Sequence, residues 1–108
     1  MSELPRPFQR FQERYPELEK LHAEMSRALD RVGPLDARSR RLVHLAVAIG
    51  QQSYGGVKSH ARRGLEEGFR PEELRQVALL AMTTAGFPST IAALEWIEEV
   101  FRESGGKP

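Results

Sequence analysis

The sequence predicts an all-α single domain of about five helices that assembles as an oligomer. Its 108 residues are the length of one ordinary globular domain. Apolar residues recur at spacings of three and four, which is the period of an α-helix. Short breaks rich in glycine and proline separate these segments, so we expect helices joined by short connections.

The N-terminal part of the chain divides into a lead-in and a first helix. We expect residues 1–14 to be an irregular lead-in, because Pro5 and Pro7 stand close together there. Pro16 fits the first turn of a helix better than its interior, so the first helix is expected from there to about Arg31. Its apolar face comprises Leu18, Leu21, Met25 and Leu29.

The second helix follows a Gly33-Pro34 break, and Asp36 is a good residue to cap its N-terminus. Residues 42–49 are apolar except for His44, which predicts a helix buried nearly all round. Because buried polar groups are normally paired, we expect His44 to be a core histidine with a hydrogen-bond partner.

The third and fourth helices are separated by a glycine. A small, polar break over residues 50–56 precedes a helix expected at 57–67. Gly68 suits the left-handed conformation that ends many helices. Pro71 suits the first position of the fourth helix, which includes a second apolar run at 77–85.

The last helix is expected to be capped by Ser89 and to end near Glu103, with a broad apolar stripe along it. The helical domain then covers residues 15–103, and residues 104–108 form a frayed tail. Two helices that are apolar on every side need more cover than the other three can supply. We therefore expect a homo-oligomer whose interface completes the core.

Composition narrows the classes of function. The net charge is +1, from 16 basic and 15 acidic residues, which argues against a dedicated polyanion binder. The chain has no cysteine, so disulfides, thiolate nucleophiles and cysteine zinc sites are excluded. It shows no secretory signal and no apolar run of the ~20 residues that span a bilayer, so we expect a cytoplasmic protein with no membrane partner.

His60 is the centre of the predicted site. Gly55 and Gly56 precede it, and a helix N-terminus behind flexible glycines favours an anion. Lys58 would add positive charge, and His60 could transfer a proton. The predicted catalytic residues are His60 and Tyr54, and the predicted substrate-binding residues are Ser53, Gly55, Gly56, Lys58 and Arg62. The alternative interpretation is a surface loop with His60 packed against a neighbouring helix.

Metal and nucleic acid are not expected ligands. His22, His44 and His60 lack metal-ligand spacing, so we predict no metal and no cofactor, and we expect His22 to face solvent. Residues 59–82 also resemble a helix-turn-helix motif. The second helix of that motif begins with proline and two glutamates, which would repel phosphate, so DNA binding is the weakest of the hypotheses.

Several short motifs occur in a fixed order along the chain. They are Pro-Glu-Leu at 16–18, Gly-Pro-Leu-Asp-Ala-Arg at 33–38, Arg-Leu-Val-His-Leu-Ala-Val-Ala at 41–48, Ser-His-Ala-Arg-Arg-Gly-Leu at 59–65, Glu-Gly-Phe-Arg-Pro-Glu-Glu-Leu at 67–74, Ala-Met-Thr-Thr-Ala-Gly-Phe-Pro at 81–88 and Glu-Trp-Ile-Glu-Glu-Val-Phe at 95–101. Together they resemble the carboxymuconolactone decarboxylase and alkylhydroperoxidase D superfamily. The resemblance implies an all-α, alkylhydroperoxidase D-like subunit that assembles into trimers or hexamers.

The resemblance also separates two branches of the superfamily. Peroxidase members carry Cys-x-x-Cys one turn before the histidine, where this chain has Ser53 and Gly56, and the acidic residue of the preceding helix falls at Arg41. Dithiol peroxidase chemistry is therefore excluded. Decarboxylase members have a basic residue two positions before the histidine, as Lys58 stands to His60.

Two hypotheses about function follow from different classes. By resemblance to the decarboxylases, the chain is a cofactor-free lyase that removes CO₂ from a small carboxylated, lactone-like substrate. Lys58 and Arg62 would then bind the anion, and His60 would protonate carbon. The alternative is a non-catalytic oligomeric binding or scaffold protein with a vestigial site.

Overall fold

A computed structural model describes residues 6–105, and every regular element in that range is helical. In order, these elements are α1 (Arg6–Arg14), α2 (Pro16–Asp30), α3 (Ala37–Gly50), α4 (Tyr54–Glu66), α5 (Pro71–Leu80), a 3₁₀ turn (Ala81–Thr83) and α6 (Phe87–Glu103). The all-α prediction is confirmed. The described residues form two compact units on either side of the Ala37–Arg38 bond.

The first unit contains one more helix than predicted. Residues 6–14 form α1, so the irregular lead-in expected there is wrong, and residues 1–5 lie outside the described range. Pro7 is compatible with α1 because it lies in the first turn, where a missing N–H costs no helical hydrogen bond. α2 begins at Pro16 as predicted, and two glutamates lie in its first turn, near the positive end of the helix dipole.

The predicted apolar face of α2 lies in solvent in the single chain. Leu18, Leu21, Met25 and Leu29 are 53–59 % exposed. Four large apolar side chains in one stripe are unusual on a surface that stays uncovered. This face is therefore a candidate for contact with another copy of the chain.

The second unit contains the hydrophobic core, in which α4 and α5 pack against α6. The buried apolar residues are Leu45, Ala48, Ile49, Val57, Ala61, Phe69, Leu74, Ala78, Ala93, Ile97, Val100 and Phe101. The predicted apolar stripe of α6 supplies four of them. Thr90 is also fully buried, and its Oγ1 donates a 2.7 Å hydrogen bond to the carbonyl oxygen of Ala78. That bond satisfies a polar group that would otherwise be costly inside the core.

Two glycines fix the junction between α4 and α5. Gly64 is buried, and a Cβ atom there would lie 3.0 Å from Cδ2 of Leu74, so glycine allows the two helices to approach closely. Gly68 has φ +97°, which confirms the predicted left-handed helix end. Pro71 occupies the first position of α5, as predicted.

Two apolar runs are only partly covered within the single chain, and one predicted cap is corrected. α3 is buried within the chain on one side only: Leu45 is fully buried, whereas Val47 is 53 % exposed. The second apolar run likewise leaves Leu80 67 % exposed. Ser89 does not cap α6, because Gly86 turns the chain with φ +107° and the helix begins at Phe87. In each apolar run, hydrophobicity showed which residues are apolar but not which of them the same chain buries.

The C-terminal end of α6 agrees with the prediction, since the helix ends at Glu103 and the backbone N–H of Ser104 still bonds to Val100. Most of the predicted tail, residues 106–108, lies outside the described range. Within residues 6–105, no helix combines the length and the apolar character that crossing a bilayer requires.

Candidate functional site

The start of α4 is built by Ser53, which is the N-cap residue. Its Oγ accepts a 3.1 Å hydrogen bond from the backbone N–H of Gly56. The break predicted over residues 50–56 is therefore too long: only residues 51–53 are non-helical, and Gly55 and Gly56 lie in the first turn of α4. A serine cap satisfies one of the free N–H groups that every helix has at its N-terminus.

The two glycines of this turn have different surroundings. A Cβ atom on Gly56 would lie 2.8 Å from Oγ of Ser53 and 3.2 Å from Cβ of Ala48. A Cβ atom on Gly55 would meet nothing within 4 Å. Gly56 thus serves the close packing of α4 against α3, which gives one of the predicted substrate-binding residues a structural role.

Four side chains meet around His60, and we call them the His60 cluster: Arg41 and His44 from α3, His60 from α4, and Glu67 at the C-cap of α4. Nη1 of Arg41 donates a 2.7 Å hydrogen bond to Nδ1 of His60. The imidazole rings of His44 and His60 stack with centroids 5.3 Å apart and planes 7° from parallel.

Arg41 also holds Glu67 through both carboxylate oxygens. Nε donates to Oε1 at 2.9 Å and Nη2 donates to Oε2 at 2.7 Å. This is the two-pronged geometry in which a guanidinium binds a carboxylate most strongly. The Arg41 side chain is 15 % exposed, so it is a largely covered charge with two protein partners.

The hydrogen bond from Arg41 fixes the tautomer of His60. A guanidinium only donates, so Nδ1 must accept and the ring hydrogen must be on Nε2. Burial lowers the pKa of His60 from 6.5 to about 4, helped by the positive charges of Arg41 and Arg63 and by His44, while Glu67 opposes the shift. In the free chain His60 is therefore a neutral imidazole at pH 7, with an N–H at Nε2.

The same contacts act on Glu67. The hydrogen bonds from Arg41 lower the pKa of Glu67, and the positive charges of Arg41 and Arg63 add to this, although burial opposes it. Glu67 is thus ionised at neutral pH. The cluster combines a largely covered cation, a half-buried neutral imidazole and a carboxylate on the solvent side.

A second group of side chains, the Lys58 cluster, joins α4 to α6. Nζ of Lys58 lies 2.8 Å from Oε2 of Glu103 and 3.2 Å from Oε1 of Glu99. The hydroxyl of Tyr54 donates to the same Glu99 oxygen at 2.8 Å and accepts from Lys58 at 3.3 Å. Burial alone would lower the pKa of Lys58, but these partners outweigh it and raise the pKa. Arg62 adds a weaker contact, 3.6 Å from Glu103.

Four of the predicted site residues fall into two groups, while Ser53, Gly55 and Gly56 form the first turn of α4 and its cap. His60 belongs to the His60 cluster, whereas Tyr54, Lys58 and Arg62 belong to the Lys58 cluster. Positions two apart on a helix point in nearly opposite directions, which explains why Lys58 and His60 have different partners. Lys58 carries its charge toward two glutamates of α6.

Sequence reasoning missed the closest partners of His60. Arg41 precedes it by 19 positions and Glu67 follows it by seven, so no local spacing links the three. The one available signal was the superfamily resemblance, which implies that Arg41 stands where peroxidase members have an acidic residue. His44 was expected in the core, but it is exposed, and its ring stacks on that of His60.

Metal binding has no geometric support in the described part of the chain, where no three His, Asp or Glu side chains are grouped closely enough to hold an ion. His22 is exposed on α2, as predicted. Proton transfer and anion binding are the chemistry that the His60 cluster can support with its own side chains.

Comparison with known proteins identifies relatives that share this fold. The profile of the Carboxymuconolactone decarboxylase family matches residues 16–99. The 4-carboxymuconolactone decarboxylase of Acinetobacter baylyi is 31 % identical over 74 residues, which are 68 % of this chain and 55 % of that protein. The chain thus spans about half the length of this curated relative.

Two solved structures are also similar. A carboxymuconolactone decarboxylase family protein from Legionella pneumophila matches 90 % of this chain and 86 % of its own, with 27 % identity and a TM-score of 0.75. A carboxymuconolactone decarboxylase family protein from Thermotoga maritima shares the fold at 21 % identity and a TM-score of 0.68, covering 94 % of this chain and 92 % of its own. Since the family profile covers most of the sequence and the helices superpose on those of family structures, the chain belongs to the carboxymuconolactone decarboxylase family.

Proposed function

We propose that the chain is a cofactor-free lyase that removes CO₂ from a small carboxylated, lactone-like substrate, with His60 as the proton donor. The observation that carries this proposal is the hydrogen bond from Arg41 to Nδ1 of His60. It places a cation beside an imidazole whose other nitrogen carries a hydrogen. A carboxylated substrate needs both, a positive group for its carboxylate and a donor near the reacting carbon.

The proposed reaction has two steps. The bond between carbon and the leaving carboxylate breaks, its electron pair enters the conjugated lactone as a dienolate, and CO₂ departs. One carbon of this dienolate then takes a proton from Nε2 of His60. Because a doubly protonated imidazole is the effective acid, His60 must first gain a proton from solvent at Nδ1.

Binding of the substrate favours this uptake of a proton by His60. A carboxylate brought next to the ring adds negative charge and so favours the imidazolium form, against the burial and the Arg41 charge that disfavour it in the free chain. Arg41 must release Nδ1 for the proton to be accepted there. A substrate carboxylate is the natural new partner for the released guanidinium N–H.

The roles expected for the other predicted residues remain predictions. Tyr54 and Lys58 would act as proton donor and anion binder, and Ser53, Gly55, Gly56 and Arg62 would bind substrate. The contacts of Lys58 with Glu99 and Glu103 favour a structural role for it within one chain. Replacing Tyr54 with Phe separates the two roles: a lower kcat would indicate a catalytic hydroxyl, and lower stability alone would indicate a structural one.

The direct test is CO₂ release from 4-carboxymuconolactone in ²H₂O. The unchanged protein is expected to release CO₂ and to incorporate one deuterium on a carbon of the lactone product. His60→Ala should abolish this, while His22→Ala, which removes the exposed histidine of α2, should leave it intact. Turnover that persists unchanged in a folded His60→Ala variant would contradict the proposal.

The Lys58 cluster favours a second candidate function. Lys58 and Tyr54, which would complete an anion site next to His60, are instead engaged with two acids of α6. That arrangement is what a non-catalytic oligomeric binding protein would show. For such a protein, no carboxylated lactone would be turned over, and the purified protein would still form a folded oligomer.

A further inference from the structure

The contact between Arg41 and Glu67 occupies the part of the site where a substrate carboxylate is expected to bind. Glu67 bonds to Arg41 through both oxygens, at 2.9 and 2.7 Å, which is the geometry that a bound carboxylate adopts on arginine. With Glu67 in place, three of the five N–H groups of Arg41 are committed, two to Glu67 and one to His60. An incoming carboxylate therefore competes with a carboxylate of the chain itself.

The side chains of Arg41 and Glu67 differ in how easily they can move out of this contact into water. The Arg41 side chain is 15 % exposed, whereas that of Glu67 is 43 % exposed. Glu67 can rotate into water and regain its hydration, but Arg41 would remain a largely covered cation in need of an anion. The pair is thus built so that Glu67, and not Arg41, is the replaceable member.

Helix electrostatics do not explain the position of Glu67. It is the C-cap residue of α4, where the helix dipole is negative and a basic side chain is the stabilising choice. The contact with Arg41 is what holds a carboxylate there. Gly68, at φ +97°, ends the helix immediately afterwards.

We propose that Glu67 is an internal stand-in for the substrate carboxylate: it covers Arg41 in the free chain, and an anionic substrate binds by displacing it. The inference rests on the proposed function for the identity of the site, and it adds the ligand class and the residue that limits access. Glu67 thereby sets specificity, because only a ligand with a carboxylate able to replace both Glu67 hydrogen bonds gains Arg41. Neutral lactones of the same shape would be excluded.

The test measures binding without turnover, with maleate as the probe. Wild type, Glu67→Gln, Arg41→Gln and Glu95→Gln are titrated by calorimetry and by the imidazole NMR signals of His60. Glu95 matches Glu67 as a glutamate paired with an arginine, but its partner is Arg102 on α6 and both side chains are exposed. It controls for the change in net charge.

Glu67→Gln is expected to bind maleate about tenfold more tightly than wild type, and Glu95→Gln to bind it like wild type. Arg41→Gln should lose binding. Equal affinities of Glu67→Gln and wild type for maleate would overturn the inference. A gain in affinity in Glu95→Gln as large as that in Glu67→Gln would overturn it as well. If Glu67→Gln did not fold, wild type alone decides: saturating maleate should raise the pKa of Glu67 toward its ordinary value, and an unchanged Glu67 would overturn the inference.

The two proposals can fail separately. Tighter maleate binding in Glu67→Gln with no CO₂ release from any carboxylated lactone would uphold the stand-in role and refute the lyase. The reverse outcome is CO₂ release that depends on His60 together with the same maleate affinity in Glu67→Gln and wild type. It would uphold the lyase and refute the stand-in role.

Discussion

Nη1 of Arg41 on α3 donates a 2.7 Å hydrogen bond to Nδ1 of His60 on α4. This one contact determines the tautomer of the histidine, adds a positive charge that lowers its pKa and leaves Nε2 as the hydrogen-bearing nitrogen. In the related peroxidases an acidic residue is expected where Arg41 stands. With arginine there and no cysteine in the chain, the cluster is suited to anions and protons and not to dithiol chemistry.

Replacing Arg41 with Gln should raise the pKa of His60. The Arg41 charge disfavours the imidazolium form, so its loss moves the pKa above about 4. Burial, the largest cause of the shift, remains, so the pKa should stay below 6.5. A titration of the His60 ring protons by NMR measures this directly. Arg102→Gln on the exposed face of α6 is the matched control, and an equal shift in both variants would refute the assignment.

The stability of the protein should depend on pH between 6.5 and about 4 through His60. In that range the unfolded chain binds a proton at His60 that the folded chain does not, so stability is complete above pH 6.5 and falls as the pH falls. Glu67 and Glu103, whose pKa values are lowered, lose their contribution only below about pH 4.5. The two effects therefore occupy different pH windows.

Urea unfolding at several pH values separates these windows. His60→Gln should flatten the dependence between pH 6.5 and 4.5 and leave the loss below pH 4.5. His22→Gln, on an exposed position of α2, should keep the wild-type profile. A slope between pH 6.5 and 4.5 that survives in His60→Gln would mean that another group carries it.

The adjacent glycines of α4 should respond in opposite ways to alanine. In Gly56→Ala the new methyl group would lie 2.8 Å from Oγ of Ser53 and 3.2 Å from Cβ of Ala48, so we expect a loss of about 1–3 kcal/mol in the free energy of unfolding. Gly55→Ala meets no atom within 4 Å and should gain about 0.5–1 kcal/mol from helix propensity. Thermal unfolding of both variants tests the pair. Equal effects would show that the α3–α4 packing is described wrongly.

The exposed apolar face of α2 should be an interface between copies of the chain. Leu21 and Met25 are 53 % and 58 % exposed in the single chain. The double variant Leu21→Glu/Met25→Glu should lower the molecular mass in light scattering while the far-ultraviolet spectrum stays helical. Lys20→Glu, on the opposite side of α2, is the control. A wild-type mass of 12.2 kDa would contradict the predicted homo-oligomer outright.

Much of the fold could be predicted from local signals. Pro16 and Pro71 mark helix starts and Gly68 marks a helix end, because each needs only a backbone preference that the residue type supplies. Which apolar side chains the other helices bury could not be predicted in the same way. Val47 and Leu80 are as apolar as their buried neighbours, and only the placement of the other helices decides which of them meets water.

The candidate site shows a similar division. His60 could be singled out because it follows a glycine-rich segment, but its partners could not, since they come from another helix and from the end of α4. Lys58 illustrates the opposite error. Its spacing from His60 suggests a shared site, whereas the helical twist directs it to Glu99 and Glu103.

The measurement that tests the account most directly is an NMR titration of the protein with a small carboxylated lactone, following the ring signals and the pKa of His60. We expect the largest shifts at His60 and Arg41, and a rise of the His60 pKa from about 4 as the ligand saturates. His60→Ala should keep the fold and lose the response. A His60 whose signals and pKa do not change at saturating ligand would contradict a proton-donating role for this histidine.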